Sequence, residues 1–170
     1  MKVILYMAMT ANGYIAKEND DAPWSDAVFN GYYDFVKKRK NIILGKRTYE
    51  IMKEINEFEK LGFPFTIVVS DSPENNNDGK TIFVSSPKEA IKELEGKNIN
   101  ETIVGGGSTL NSSFMAENLI DEIYLDVEPI IFGEGIPLFR GGNFEKKLEL
   151  IEINKISKNE IQLHYRVKRD

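Results

Sequence analysis

The segment that most limits how this chain can fold is a run of three glycines between a predicted strand and a predicted helix. The run, Gly105–Gly107, follows the apolar residues Thr102–Val104 and precedes Ser108 and Thr109. Glycine has no Cβ, so the backbone can come close to another segment or to a ligand. A helix that begins after such a turn presents unpaired N–H groups and a partial positive charge. The segment therefore predicts a strand–turn–helix unit that can bind an anion, with a nucleotide phosphate as the first candidate.

The same segment also fits a tight turn that binds nothing. The dinucleotide-binding pattern G-x-G-x-x-G requires a glycine at its sixth position, and Leu110 stands there. The glycines alone therefore leave both interpretations open.

Predicted strands and helices alternate along the first two thirds of the chain, which indicates a mainly parallel sheet flanked by helices. The strands are predicted at Val3–Met9, Asn41–Leu44, Phe65–Val69, Thr81–Val84 and Thr102–Val104, and the helices at Ser25–Lys38, Lys46–Lys53, Pro87–Glu95 and Ser108–Asn118. Three strands without intervening helices follow, at Ile123–Ile131, Leu148–Ile156 and Ile161–Val167. A turn at Ser157–Glu160 would join the last two into an antiparallel hairpin. The predicted fold class is therefore α/β, with a mixed central sheet.

Length and composition narrow the functional classes. The 170 residues contain no long linker, so we expect a single domain over residues 1–170. A net charge of −5 argues against a chain-wide attraction to nucleic acid or to an anionic membrane. The chain has no cysteine, so it has no thiolate nucleophile or thiolate metal site, which fits a cytoplasmic protein.

Two single features have simple structural interpretations. The apolar N-terminus is shorter than the ~20 residues of a membrane span and is interpreted as a buried first strand rather than a signal sequence. His164 is the only histidine, and no second metal ligand lies near it in the predicted strand, so we expect a structural or surface role and no metal site.

A second predicted strand also ends in a glycine that precedes a helix. Gly45 follows Asn41–Leu44, and the helix opens with Lys46 and Arg47. Two cations at a helix N-terminus oppose the helix dipole unless an anion lies beside them, which favours a phosphate site. A Walker A loop is not favoured because Lys40 stands where its first glycine would be. Two solvated surface charges are the alternative.

Two further segments lie at predicted strand ends, where ligands of open α/β sheets bind. Ser70 is either a ligand contact or a turn residue, and Asp71 could favour a ribose hydroxyl, as in NAD, over a 2′-phosphate.

Thr10–Trp24 is predicted to be a polar loop that can act as a mobile lid. Trp24 is either the wall of a pocket or part of the core. The polar tract Asp71–Gly79 indicates a surface loop.

In this order, the four segments resemble the cofactor-binding framework of the dihydrofolate reductase-like fold. They are Thr10–Trp24, Gly45–Thr48, Ser70 and Gly105–Gly107. The C-terminal part is more specific. Leu119–Leu125 and Pro129–Phe139 resemble the "L-x-D-E-x-x-L … P-x-x-x-G-x-G-x-P-L-F" block of the RibD C-terminal reductase family, which includes the reductase of riboflavin synthesis.

The resemblance implies a dihydrofolate reductase-like fold and NADPH as the hydride donor to a small heterocycle, a pyrimidine or a pterin. Reduction of 5-amino-6-(5-phosphoribosylamino)uracil in riboflavin biosynthesis is one candidate reaction. The cofactor residues that it implies are Ala8 and Ile15 beside the nicotinamide, Gly45, Lys46, Arg47 and Thr48 beside the phosphates, Ser70 near the 2′-phosphate, and Gly105, Gly106, Gly107, Ser108, Thr109 and Leu110 along the pyrophosphate and the nicotinamide. It also implies a cis peptide bond between Gly105 and Gly106, and a homodimer formed through the C-terminal strands.

The chain departs from dihydrofolate reductases at the carboxylate that holds the pterin. Phe29 and Asn30 occupy the positions of that acid in the first long helix, so folate reduction is not favoured. Trp24 and Phe29 remain as candidate walls of the substrate pocket. Alternation in Glu122–Glu128 places Asp126 on one face with other carboxylates. Asp126 is the candidate catalytic acid, and a solvated acidic face is the alternative.

Three functions therefore stay open. An NADPH-dependent reductase of the RibD C-terminal family is the leading hypothesis, and a dihydrofolate reductase or a nucleotide-binding module without catalysis are the others. The acids Asp20, Asp21 and Asp26 are further candidates for the proton donor, and the sequence does not rank them.

Overall fold

The computed structural model describes residues 1–72 and 79–169, and within them it has ten strands and five helices. The strands are β1 (Lys2–Thr10), β2 (Tyr14–Ala16), β3 (Asn41–Gly45), β4 (Phe65–Val69), β5 (Thr81–Val84), β6 (Glu101–Val104), β7 (Glu122–Glu128), β8 (Ile136–Pro137), β9 (Leu148–Lys155) and β10 (Ile161–Val167). The helices are α1 (Asp26–Arg39), α2 (Lys46–Glu54), α3 (Glu57–Lys60), α4 (Pro87–Gly96) and α5 (Ser108–Ala116). Within the described ranges, no helix has the length and apolar character that crossing a membrane requires. Of the predicted surface loop Asp71–Gly79, residues 73–78 lie outside the described residues.

Eight strands form one mixed sheet in the order β5-β4-β3-β6-β1-β7-β10-β9. The neighbours from β5 to β7 are parallel, and β10 is antiparallel to both β7 and β9. The backbone N–H of Ile156 donates to Glu160 O at 3.0 Å and closes the predicted hairpin. The predicted fold class, a mainly parallel sheet with an antiparallel C-terminal hairpin, is confirmed.

Strand β1 lies inside the sheet, and its alternate side chains enter two different cores. Leu5 packs in a cluster that includes Phe114 of α5. Tyr6, on the opposite face, packs in a cluster that includes Val36 of α1. Because helices cover both faces, the inner strands are continuously apolar rather than alternating, as Ile42–Leu44 illustrates.

Helices α1 and α4 each begin with a serine cap. Ser25 Oγ accepts a hydrogen bond from Val28 N, and Ser86 Oγ accepts one from Glu89 N, both at 3.3 Å. Both helices also carry an acid in the first turn, which complements the helix dipole.

The predicted strand Ile123–Ile131 was too long. Strand β7 ends at Glu128 because Pro129 has no N–H to donate. The chain then turns, since Ile130 N donates to Glu128 O at 2.8 Å, and Ile130 O accepts from Ala11 N at 2.9 Å.

Three short elements were not predicted: β2, β8 and α3. Strands β2 and β8 pair with each other, so the predicted loop Thr10–Trp24 is interrupted by a strand. A Cβ at Gly135 would lie 2.6 Å from Ala16 O, so a glycine there permits this close approach. Helix α3 is a single turn, held to α1 by the hydrogen bond that Tyr33 OH donates to the buried Glu57.

Candidate functional site

The predicted cofactor segments meet at one edge of the sheet. Strands β4, β3, β6 and β1 are successive parallel neighbours, so their carboxyl ends lie side by side. Ser70 follows β4, Gly45 ends β3, Gly105 follows β6 and Ala8 lies near the end of β1. This edge is where ligands bind in open α/β sheets.

The two glycine turns are in direct contact. Gly45 N donates to Gly106 O at 2.8 Å, and Gly105 N donates to Ile43 O at 2.9 Å. A Cβ placed on Gly45 would lie 3.6 Å from Gly107 N. The N-termini of α2 and α5 are therefore adjacent and can act on the same ligand.

The cis peptide bond joins Gly106 to Gly107, so the prediction that it joins Gly105 to Gly106 was wrong by one residue. The N–H of Gly105 still bonds to Ile43 O of β3, which extends the strand pairing to Gly105. The backbone leaves the strand only at Gly106, whose φ of +95° favours glycine. A Cβ on Gly105 would lie 2.9 Å from Tyr32 OH, so this position is also tightly packed.

Helices α2 and α5 begin without any side-chain cap. Their N-cap residues are Gly45 and Gly107, and neither helix has an acid in its first turn. The hydroxyl of Ser108, at the start of α5, is buried and has no hydrogen-bond partner among the described residues. Thr48 Oγ1 lies 3.1 Å from where a Cβ on Gly107 would be. Helix N-termini without a side-chain cap and an unpartnered hydroxyl provide the kind of donors that bind an anionic phosphate group.

The two cations at the start of α2 have carboxylate neighbours. Arg47 Nε donates to Asp20 Oδ2 at 3.0 Å, and Arg47 Nη2 donates to the same oxygen. Lys46 Nζ lies 4.0 Å from Glu50 Oε1. The loop between β2 and α1 is thus fastened to the beginning of α2 by the pair of Asp20 and Arg47.

The remaining predicted cofactor residues lie around this edge. Ile15 and Leu110 are buried, Ala8 is half-buried and Thr109 is exposed. Ser70 forms a local turn, because its Oγ accepts from Ser72 N at 3.2 Å.

Trp24 lies at the rim of the N-terminal loop. Its ring stacks on Phe132 with 6.2 Å between centroids and 13° between planes. The side chain of Asn12 bonds both the N–H and the carbonyl of Phe132, at 3.2 and 2.7 Å. Phe29, the other predicted pocket wall, stacks on Tyr33 at 5.9 Å and packs against the core under α1.

Asp126 is fully buried and uses both carboxylate oxygens. Tyr6 OH donates to Oδ2 at 2.7 Å, and Gln162 Nε2 donates to Oδ1 at 2.8 Å and to Tyr6 OH at 3.1 Å. Burial raises the pKa of Asp126 to about 6, against the lowering effect of the two hydrogen bonds that the carboxylate accepts.

The interpretation of β7 as a solvated acidic face is wrong for Asp126 and Glu128. Glu128 is also buried, and its Oε1 accepts from Ser25 N at 2.7 Å. The physical reason is that α1 covers this face of the sheet and begins directly above the end of β7. Asp126 can therefore act on a substrate only through its neighbours.

Sequence reasoning missed Tyr6, Gln162 and Glu128. Tyr6 lies two residues before Ala8 and therefore on the same face of β1, which was a usable signal. Gln162 reaches Asp126 only because β10 pairs with β7 in this register, and the register is not visible in local sequence.

The other titratable candidates take structural positions. Asp21 pairs with Lys17 at 2.6 Å, and Asp26 is exposed in the first turn of α1. His164 Nε2 lies 2.9 Å from Glu122 Oε2, and the histidine ring stacks on Tyr124. In the part of the chain that is described, no group of three or more potential metal ligands occurs.

Two open cavities lie at the opposite edge of the sheet. One, of about 300 Å³, lies between α2, α3 and the first residues of β4 and β5. The other, of about 410 Å³, lies at the first residues of β3 and β6. No predicted site residue lines either cavity. The candidate site is therefore located by the hydrogen-bonding groups at the carboxyl ends of the strands and not by a cavity.

Comparison with known proteins identifies the family of the chain and supports the fold. The profile of the RibD C-terminal domain family matches residues 1–162. The uncharacterized protein YwjB of Bacillus subtilis (strain 168) is 34% identical over 172 residues, which cover 96% of this chain and 97% of that protein.

Two solved structures have the same fold. One is a candidate riboflavin biosynthesis protein from Shewanella sp. PV-4, with a TM-score of 0.84, 23% identity, and coverage of 99% of this chain and 100% of that chain. The other is a diaminohydroxyphosphoribosylaminopyrimidine deaminase/5-amino-6-(5-phosphoribosylamino)uracil reductase from Thermotoga maritima, with a TM-score of 0.78, 19% identity, and coverage of 98% of this chain and 56% of that chain. Because the family profile and the Bacillus relative both span nearly all of the sequence, the chain belongs to the RibD C-terminal domain family.

Proposed function

We propose that this protein is an NADPH-dependent reductase that transfers hydride to a small heterocycle of the aminopyrimidine type. The observation that carries the proposal is the contact between two uncapped helix N-termini, made by Gly45 N and Gly106 O at 2.8 Å. The Thermotoga maritima protein of the same fold is named in part as a 5-amino-6-(5-phosphoribosylamino)uracil reductase. We therefore choose 5-amino-6-(5-phosphoribosylamino)uracil as the first substrate to test. We place the reaction in the cytoplasm, where NADPH-linked synthesis takes place.

The residues at the carboxyl edge fit the phosphates of such a cofactor. The N–H groups at the uncapped starts of α2 and α5 and the hydroxyl of Ser108 would donate hydrogen bonds to the pyrophosphate. Lys46 and Arg47 would balance its charge, and Ser70 would lie near the 2′-phosphate. When bound, NADPH supplies the hydride, and the protein holds the two reacting carbons together and excludes water.

The substrate side of the site lies on the face of the sheet that α1 covers. Ala8 and Asp126 are paired neighbours there, across β1 and β7. At pH 7 a carboxyl group with a pKa of about 6 is protonated in roughly one molecule in ten. Since Asp126 is closed off from solvent, we assign it a positioning role, exerted through Tyr6 and Gln162, rather than direct contact with the substrate.

The cofactor proposal is tested by thermal unfolding with NADPH and, separately, with NADH. A cofactor present at 100 times its dissociation constant should stabilise the protein by about 2.7 kcal/mol. We expect NADPH to raise the midpoint more than NADH at equal concentration, because only NADPH carries the 2′-phosphate. No rise with millimolar NADPH would contradict the proposal.

Turnover is tested by following the absorbance of NADPH with a panel of aminopyrimidines, and with dihydrofolate as a comparison. We expect oxidation with at least one aminopyrimidine and none with dihydrofolate, because Phe29 and Asn30 replace the pterin-binding acid. Binding of NADPH without oxidation by any compound would favour a nucleotide-binding module without catalysis.

We also propose that the protein forms a homodimer through β9. This strand is the outer edge of the sheet, and a free edge with apolar side chains favours pairing with another chain. Its exposed apolar residues are Leu148, Leu150, Ile151 and Ile153. Sedimentation should give about twice the chain mass of 19.4 kDa. Ile153→Lys should give the monomer, whereas the control Ile131→Lys, at an exposed position outside β9, should not.

A further inference from the structure

The side chain of Gln162 is held in one orientation by two hydrogen-bond acceptors. Its Nε2 donates to Asp126 Oδ1 at 2.8 Å and to Tyr6 OH at 3.1 Å. An ionised carboxylate can only accept hydrogen bonds, and Tyr6 already uses its own proton on Asp126 Oδ2. Both groups therefore face the amide nitrogen of Gln162, and its carbonyl oxygen must point away from them.

That carbonyl oxygen is open. Gln162 is partly exposed, whereas Asp126 is closed off from solvent. Among the described residues, Gln162 Oε1 makes no hydrogen bond, and this oxygen is not fully buried. Gln162 is thus the member of the cluster that can touch a ligand.

Gln162 also lies in line with the proposed reaction site. Ala8 pairs with Asp126, and Asp126 pairs with Gln162, across three neighbouring strands. Side chains at paired positions of neighbouring strands lie on the same face of a sheet. Ala8 and Gln162 are both partly exposed, so a ring held against Ala8 can reach towards Gln162 beside the covered side chain of Asp126.

We propose that Gln162 is a specificity-determining residue whose carbonyl oxygen accepts a hydrogen bond from an N–H group of the heterocycle, while Asp126 and Tyr6 are the positioning residues that fix its orientation. This inference rests on the proposed function, because it assumes that the ring lies on the α1 side of the sheet. It narrows the substrate class to heterocycles that present an amino or ring N–H donor at that point.

The orientation is tested by NMR on the whole protein, because Gln162 is the only glutamine in the chain. Labelling with ¹⁵N-glutamine therefore gives one pair of side-chain amide signals, one for each Nε2 proton. We expect both Nε2 protons to exchange slowly with water, since both are donated to buried acceptors. Fast exchange of both protons would overturn the inference.

The positioning role is tested with Asp126→Asn, which keeps the shape of the side chain. Once the glutamine amide turns over, an asparagine can donate one amide proton to Gln162 Oε1 and still accept from Tyr6 OH. At least one Nε2 proton should then exchange at a solvent-exposed rate. Slow exchange of both protons, as in the wild type, would contradict the positioning role.

Specificity is tested by binding 2,4-diaminopyrimidine and 2,4-dimethoxypyrimidine in the presence of NADPH. The first ring presents N–H donors, and the second presents none. We expect the wild type to favour the diamino ring by about fivefold, the effect of one hydrogen bond, and Gln162→Met to lose this preference. A preference that survives in Gln162→Met would reflect only the negative charge of Asp126, and the inference would fail.

The two proposals fail in different ways. If NADPH does not stabilise the wild type, the proposed function fails, whatever the exchange of the Gln162 amide. If NADPH stabilises both the wild type and Gln162→Met while the ring preference is the same in both, only the role of Gln162 is wrong.

Discussion

The four longer helices of the described chain begin in two different ways. Helices α1 and α4 start at Ser25 and Ser86, whose hydroxyls cap the first turn, and each has an acid in that turn. Helices α2 and α5 start at Gly45 and Gly107, with neither a side-chain cap nor an acid.

Position in the sheet does not explain this difference. Helix α4 follows the carboxyl end of β5, at the same edge where α2 and α5 follow β3 and β6. In α4 the Ser86 hydroxyl accepts from one first-turn N–H group, whereas α2 and α5 begin at glycines and have no side-chain cap. Since unpaired N–H groups lower stability, the second pair of helices is better explained by a ligand than by folding.

The largest expected effect comes from giving α2 a side-chain cap, which α1 has and α2 lacks, in the form of a charged residue. Gly45 has φ −74° and ψ 152°, which aspartate adopts readily, and an added Cβ would meet nothing closer than 3.6 Å. Gly45→Asp should leave the melting temperature of the free protein unchanged or slightly higher. It should weaken NADPH binding by at least about 100-fold, because like charges in a closed contact cost several kcal/mol. Calorimetry and cofactor titration measure the two effects.

Gly45→Ala is the matched control for that variant, because it adds the Cβ without the charge. We expect it to weaken NADPH binding by less than about tenfold. Equal losses in both variants would assign the effect to close backbone approach rather than to charge. No loss in either would mean that the glycine turns do not hold the phosphates.

The next largest effect is expected from Ser108→Ala in α5. The Ser108 hydroxyl is buried and unpartnered among the described residues, so removing it should not lower the melting temperature of the free protein. NADPH affinity should fall by about tenfold, the usual contribution of a hydrogen bond to a charged group. A lower melting temperature with unchanged cofactor affinity would identify Ser108 as a structural residue and remove it from the site.

The same substitution in α4 should have the opposite outcome. Ser86→Ala removes a cap and should cost about 1 kcal/mol of stability, which corresponds to a fall of about 2–4 °C in melting temperature. NADPH affinity should not change. Ser85→Ala is the control, because it removes a hydroxyl that bonds Glu89 but caps nothing, and it should cost less. If Ser86→Ala also weakened NADPH binding, the distinction between the two kinds of helix would not hold.

Most of the fold could be predicted because the signals are local. The bounds of β4, β5 and β10 agree with the prediction, since a buried run between turn residues defines a strand by itself. Strands β2 and β8 have three and two residues, too few for a pattern, and they form only because Gly135 lets the two segments approach. That contact joins segments far apart in the sequence, so no local rule predicts it.

The same distinction applies to the candidate site. The strand–glycine–helix turns were found because each lies within ten residues of sequence, and the predicted strand end at Val104 agrees with β6, although the cis peptide bond was placed one residue too early. The cluster of Tyr6, Asp126 and Gln162 joins three strands, and 120 residues separate its first two members. It depends on the pairing register of β1, β7 and β10, which only the folded chain reveals.

The smallest expected effect concerns Asp20. This acid belongs to the loop before α1 but lies beside the first turn of α2, which has no acid of its own. Asp20 is bonded to Arg47 from the loop before α1, so this carboxylate would compete with the phosphate of the proposed cofactor for the same cation. Asp20→Asn should raise NADPH affinity two- to threefold at low salt, in line with the small value of an exposed ion pair. The gain should shrink at high salt because screening weakens the pair.

Asp21→Asn is the matched control, since Asp21 pairs with Lys17 and not with α2, and it should not change NADPH affinity. A fall in NADPH affinity for Asp20→Asn would mean that Asp20 holds Arg47 in the position from which it meets the phosphate, and the loop would then be part of the cofactor site rather than its competitor.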